Sequence, residues 1–235
     1  MKAYVNIGAN HEFRLTEAVL VYRGGRTGAF ASLHQVKQSE DGIAYLAPGE
    51  AVTTAFLRTL AQGLGAQVKP EILPDNLLAR TTDMLVWWSR PQQRVMFFGG
   101  VNEEGRKLNG LLFPHPPLIF KVVGRDFFVR AISTSSRPSS KTPMKTAPYW
   151  NTDCRVCPGS MRIPETFDVA SIPQWEDAFF QSEFTHAAGA VKLTSHPEGF
   201  IGLWRSLVGK KRFPVQYLAD AAETLQEFVA PGNER

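Results

Sequence analysis

Cys154 and Cys157 are the only two thiols in this chain of 235 residues. They lie in Pro148-Tyr149-Trp150-Asn151-Thr152-Asp153-Cys154-Arg155-Val156-Cys157-Pro158-Gly159. A Cys-x-x-Cys pair admits three kinds of chemistry. The first is redox cycling, for which a thioredoxin-type pair opens a helix directly after a strand so that the helix N-terminus stabilises a thiolate. Here Pro158-Gly159 and Pro164 follow, and no apolar helical pattern begins at Cys154. The second is a structural zinc site, which needs two more Cys or His ligands. His186 and His196 are candidates, but they lack the tight spacing such ligand pairs have. The third is a single nucleophile, with one cysteine attacking a carbonyl as thiolate. Asn151 and Thr152 are close in sequence and could donate to a tetrahedral oxyanion. Against all three stands the inert alternative of two small buried side chains.

The elements that must position this segment follow from hydrophobic pattern and turn residues. Residues 3–8 and 12–23 read as strands, and 30–36 with 42–46 as a hairpin around Ser39-Glu40-Asp41-Gly42. Residues 48–64 carry apolar positions at helical spacing, closed by Gly63 and Gly65. Strands are predicted at 84–89, 94–98, 110–123 and 126–133, the third bent by Pro114, Pro116 and Pro117. The alternation of a strand puts Trp87 and Trp88 on opposite faces, so at most one is expected in a core. Residues 99–109 read as a polar loop. Residues 134–148, with Arg137, Lys141 and Lys145, read as a surface loop or functional flap. A helix is predicted after Ser171, with Gln174 completing a capping box, and another from Pro214 with Leu218, Ala221, Ala222, Leu225, Phe228 and Val229 as its apolar stripe. Strands grouped before helices indicate an α+β fold.

Composition sets further bounds. Apolar residues make up 43% of the chain, as in ordinary folded domains. A net charge of +4 without a clustered basic face falls short of a nucleic-acid-binding signature. No apolar run reaches the roughly 20 residues that span a bilayer. The first residues lack the apolar centre of a signal peptide. A cytoplasmic protein with reduced thiols is the expectation.

Phe113-Pro114-His115-Pro116-Pro117-Leu118-Ile119-Phe120, followed at a distance by Arg155-Val156-Cys157, resembles the ubiquitin-conjugating (E2) family. That family has a helix, a four-stranded antiparallel meander, a Pro-x-x-Pro-Pro strand, an irregular segment carrying His-Pro-Asn and then the catalytic cysteine. Aligned back from Cys157, Pro148 keeps the proline, whereas Ala147 and Tyr149 replace histidine and asparagine and Cys154 occupies a glycine position. These departures are similar to prokaryotic E2 family D, the group found as protein B of the PRTRC genetic system. That group has its histidine after the cysteine. His186, in Phe184-Thr185-His186, fits this best, and His196 is second.

The resemblance implies an E2/UBC-like domain over residues 48–235 and a β-rich extension over residues 1–47. It implies that Cys157 accepts a ubiquitin-like protein as a thioester from an E1/ThiF-like enzyme and passes it to an amine. His186 and Asn151 are the implied helpers. A JAB-type peptidase belongs to the same implied gene neighbourhood, and no metal or small cofactor is implied. The competing expectations are a non-catalytic E2-like scaffold and a Cys-x-x-Cys zinc or redox protein.

Overall fold

Trp87 and Trp88 show how the main sheet is built. In the computed structural model, which describes residues 4–5, 13–24, 28–63, 72–99, 103–149, 152–166, 168–185 and 192–230, both rings are buried. The expectation that at most one would be in a core is corrected: they do point to opposite faces, but each face is covered by its own core. Residues 1–71 and 72–235 form two compact units.

In the first unit, β1 (Tyr4–Val5) pairs antiparallel with β2 (Phe13–Arg14). β3 (Glu17–Gly24) pairs antiparallel with β4 (Gly28–Gln38), from Glu17 opposite Gln35 to Gly24 opposite Gly28. β5 (Ala44–Leu46) closes the hairpin predicted around Ser39-Gly42, with Val36 opposite Leu46. β6 (Glu50–Ala51) pairs with Ser32 and Leu33 of β4. α1 (Thr54–Gly63) therefore starts later than the periodicity of residues 48–64 suggests, because 50–51 are used as strand. The Thr53 hydroxyl accepts from Phe56 N at its N-terminus.

The second unit contains β7 (Leu77–Arg80), β8 (Met84–Ser89), β9 (Gln92–Phe98), α2 (Glu103–Leu108), β10 (Leu111–His115), β11 (Leu118–Val123), β12 (Asp126–Ala131), β13 (Pro143–Thr146), β14 (Thr152–Asp153), β15 (Arg155–Val156), α3 (Ile172–Phe180), β16 (Glu183–Phe184), α4 (Gly199–Leu207), β17 (Asp220–Thr224) and α5 (Leu225–Val229). The main sheet runs β14-β15-β12-β11-β8-β7, with β13 on β12 and β17 on β13. β7, β8, β11 and β12 are antiparallel neighbours in chain order. β9 and β10 leave this sheet and pair with each other, and β16 joins β9 in parallel. The single bent strand predicted over 110–123 is thus two strands in two sheets. Pro116-Pro117 is the break, since neither residue has an N–H for a ladder.

One face of the main sheet presents Leu85, Trp87, Phe120, Val122, Phe127 and Val129 to α3, α4 and β10 through Trp175, Phe179, Trp204 and Phe113. The other presents Val86, Trp88, Ile119 and Phe128 to Met144, Cys154, Leu225 and Phe228. Lys121 is buried on this second side. Its Nζ donates to Phe228 O at 2.9 Å and stands 4.8 Å from the centre of the Phe128 ring. The hydrogen bond and the ring quadrupoles offset the cost of removing its charge from water.

Three predicted segments differ. Residues 214–229 are a short 3-10 turn, then β17, and only then α5. The strand wins because Asp220 and Thr224 pair with Lys145 and Pro143, and the helix starts at the Thr224–Glu227 capping box. α2 occupies part of the predicted polar loop, with a Glu103–Lys107 pair one turn apart. Ser171 precedes α3 without a side-chain cap; instead Asp168 Oδ1 accepts from Ser171 N at 2.8 Å.

Candidate functional site

β14 and β15 form a tight turn in which Asp153 opposes Arg155 and Cys154 sits at the tip. Cys154 has φ +66°, the left-handed region that glycine enters without steric cost. Two features hold it there. Val129 N of β12 donates to Cys154 O at 2.8 Å, and the side chain is buried with Phe128 and Phe228 in the second core. Arg155 is engaged by Asp126, its Nη2 donating to Asp126 Oδ1 at 2.5 Å. Both partners of that pair are well exposed, so it contributes at most about 1 kcal/mol.

Cys157 is a free, exposed thiol immediately after β15. The chain then turns: Met161 N donates to Pro158 O at 2.6 Å and Gly159 adopts φ +43°. Ser160 Oγ accepts from Glu183 N at 2.8 Å, which ties the start of β16 to this turn. Val156 and Pro158, on either side of Cys157, line a pocket of about 70 Å³ whose other walls are Phe127, Met161 and Ile163 with the charged Arg125, Asp126 and Arg155. The two cysteines therefore part company: Cys154 is core, and Cys157 is displayed beside a small recess with both apolar and charged walls.

The proposed helpers Asn151 and His186 lie outside the described residues, as does Trp150. Their neighbours are described. Ala147 and Tyr149, at the positions where the resemblance expects histidine and asparagine, are buried. Trp204 Nε1 donates to Pro148 O between them. The Tyr149 hydroxyl lies 2.8 Å from His115 Nδ1, and His115 Nε2 lies 3.2 Å from Arg94 O. A carbonyl only accepts, so Nε2 carries the proton and Nδ1 accepts from Tyr149. Burial is the main reason the His115 pKa falls to about 3, and burial likewise raises that of Tyr149. Both groups are neutral, fully engaged core members.

His196, the second histidine candidate, packs edge-on against Tyr217, and its Nδ1 accepts from Glu198 N. Neither interaction reaches the Cys157 segment. The stretch 134–148, expected as a surface loop or flap, holds β13 in its second half and is tied down by two of its cations: Arg137 Nη2 donates to Leu77 O at 2.6 Å, and Lys145 Nζ donates to Asp220 Oδ1 at 2.9 Å. Sequence reasoning missed Ser160, Met161 and Ile163. The signal was Pro158-Gly159, which marks a turn that folds the following residues back beside Cys157. A larger cleft of about 650 Å³, lined in part by Gln92, Pro116, Ser133, Lys211 and Arg212, opens where the β9–β10 excursion leaves the main sheet.

The fold is α+β, with mostly antiparallel sheets and helices on both faces of the principal one. A sequence model of prokaryotic E2 family D matches residues 54–221, and the chain belongs to that family of E2-like proteins. No curated protein and no solved structure matches the chain. No helix among the described residues is long and apolar enough to cross a membrane.

Proposed function

We propose that this protein is an E2-like carrier that holds a ubiquitin-like protein as a thioester on Cys157. The observation that carries the reading is the exposed Cys157 thiol, displayed between β15 and the Pro158–Met161 turn beside a small recess. Family membership supports the same reading. The β7-β8-β11-β12 arrangement is the counterpart we assign to the four-stranded E2 meander, with residues 1–47 as an N-terminal extension of a domain spanning 48–235.

In the first step the Cys157 thiolate attacks the carbonyl carbon of a thioester held by an E1/ThiF-like enzyme. The new C–S bond forms, the old one breaks, and the enzyme's cysteine leaves as thiolate. No electrons change hands, so no redox partner is needed. In the second step an amine, such as a lysine of a target, attacks the Cys157 thioester. Its proton goes to His186, and Cys157 leaves as thiolate. Asn151 and the backbone N–H groups near 155–159, Pro158 excepted because it has none, stabilise the oxyanion. The bond between Ser160 and Glu183 favours His186 in this role, since it draws the stretch that ends two residues before Thr185 to the turn after Cys157. Neither metal nor small cofactor enters these steps, and the JAB-type peptidase acts downstream of them. The setting we assign is the cytoplasm.

A second reading rests on the buried Ala147 and Tyr149: no asparagine stands where the usual one would serve, and the Tyr149 hydroxyl is turned to His115 in the core. On that reading the chain is an E2-like scaffold of the same system. The two are separated by incubating the protein with an E1/ThiF-like enzyme, ATP and a ubiquitin-like protein. The carrier yields a reductant-sensitive adduct that is lost in Cys157→Ala and kept in Cys154→Ala. An adduct lost only in Cys154→Ala, or no adduct at all, sinks the carrier reading. The contrast between a buried Cys154 and an exposed Cys157 favours one working thiol over a zinc or disulfide pair.

A further inference from the structure

β3 forms one border of the sheet in the first unit. Among the described residues it pairs only with β4, while β5 and β6 occupy the opposite edge of β4. β3 is eight residues long and carries Val19, Leu20, Val21 and Tyr22 in succession, all exposed; Val21 is 61% exposed. Long apolar edges of this kind are templates for further strand pairing, and proteins normally blunt them with charge, proline or a bulge. The described residues of β3 contain no proline and no bulge.

The phase of the open edge can be read from the ladder. Val36 N donates to Thr16 O at 2.9 Å, and Thr16 stands opposite Val36 in the continued β3–β4 register. In an antiparallel ladder the residues facing a given neighbour alternate. The even-numbered residues of β3 therefore face β4. Glu17, Val19, Val21 and Arg23 turn their N–H and C=O groups to the free edge.

The sequence of this edge is complementary to itself. A two-fold axis that pairs two such strands antiparallel stands perpendicular to the sheet, so residues of like parity oppose each other and one residue lies on the axis. With Leu20 on the axis, Glu17 of one copy opposes Arg23 of the other, Val19 opposes Val21, and Ala18 opposes Tyr22. Opposite charges meet at both ends and valine meets valine between them, on the residues whose backbone groups are outward. Moving the axis to Val19 leaves Glu17 opposite Val21, and moving it to Val21 leaves Arg23 opposite Val19, so the charges lose their partners. Among the described residues Arg23 makes no ion pair, and Glu17 engages Gln35 through Oε1.

We propose that β3 is a homodimerisation edge, and that two copies of this chain join into one continuous sheet across it with Leu20 on the two-fold axis. The occupant is a second copy because the charge order Glu17…Arg23 is satisfied by its own reversal. Strand-edge pairing buries less than the roughly 1,200 Å² of a standard interface, so the dimer is reversible.

The test is light-scattering mass across a concentration series of the full chain. The wild type moves from one-chain to two-chain mass as concentration rises. E17R places two arginines opposite at each end, and R23E places two glutamates opposite; each variant alone stays at one-chain mass. An equimolar mixture of the two variants restores opposite pairs at both ends, and so does the double variant E17R/R23E; both recover two-chain mass. Recovery in the mixture shows that the single variants are folded. A wild type at one-chain mass throughout overturns the proposal, and so does a dimer that either single variant leaves intact or a mixture that fails to associate.

Discussion

The Tyr149 hydroxyl donates to His115 Nδ1 across 2.8 Å, with the two rings stacked at an interplanar angle of 15°. Tyr149 stands at the position where the E2 resemblance expects an asparagine, and the structure uses it to satisfy a histidine in the core.

This pair sets a pH dependence of stability. His115 titrates at about 3 in the folded protein, against 6.5 unperturbed. Between those values the unfolded chain binds the proton and the folded one does not, so acid favours unfolding. Stability contributed by the neutral imidazole is whole above about pH 6.5 and declines as pH falls toward 3, at a slope approaching about 1.4 kcal/mol per pH unit. Urea unfolding at pH 4 to 7 measures this slope. A slope in His115→Gln equal to that of the wild type would refute the assignment.

Removing the hydroxyl tests the same pair from the other side. Tyr149→Phe leaves His115 Nδ1 buried without its donor, which costs about 1–3 kcal/mol. The expected readout is a lower melting temperature at pH 7 with an unchanged far-ultraviolet spectrum.

The two thiols are predicted to differ in access. In native buffer a small maleimide modifies Cys157, so intact mass shows one addition; in denaturant it shows two. Cys157→Ala abolishes the native addition. Rapid modification of both cysteines in the folded wild type would contradict the burial of Cys154.

Cys154 is predicted to tolerate glycine better than a branched residue. Glycine removes the left-handed penalty of about 1–2 kcal/mol, which offsets the loss of a small apolar group from the second core. Cys154→Gly should therefore unfold within about 1 kcal/mol of wild type. Cys154→Val places a β-branched side chain at φ +66° and should lose about 2 kcal/mol or more. Denaturant midpoints decide between these outcomes.

The strands at 84–89 and 126–131 were legible because β-branched and aromatic residues fill them, and the hairpin of β4 and β5 because Ser39–Gly42 announces its turn. Partnership was not legible. Nothing local says that β8 pairs with β11 rather than β9, since that choice is made by the two-faced burial of the sheet. Residues 214–229 misled because their apolar positions suit a helical stripe, while the ladder to β13 outweighs that pattern in the first half. Thr224-x-x-Glu227 did mark the true helix start. At the site, the resemblance puts Cys154 at a glycine position, and its φ of +66° is what such a position accommodates. The link from Ser160 to Glu183 joins segments distant in sequence and left no trace in either.

The β9–β10 excursion also favours an order of assembly. β8 and β11 are neighbours in the sheet, with Ser89 opposite Leu118, yet the intervening chain must double back before they can meet. Closing a loop of about 28 residues costs on the order of 3 kcal/mol in chain entropy. Once Gln92 lies opposite His115, only the short connections at Pro91 and Pro116-Pro117 separate the two strands, and most of that cost has been met locally. Forming the hairpin that leaves the sheet first therefore lowers the entropic cost of joining the centre of the sheet, whose β12 edge pairs with the strand that leads into Cys157.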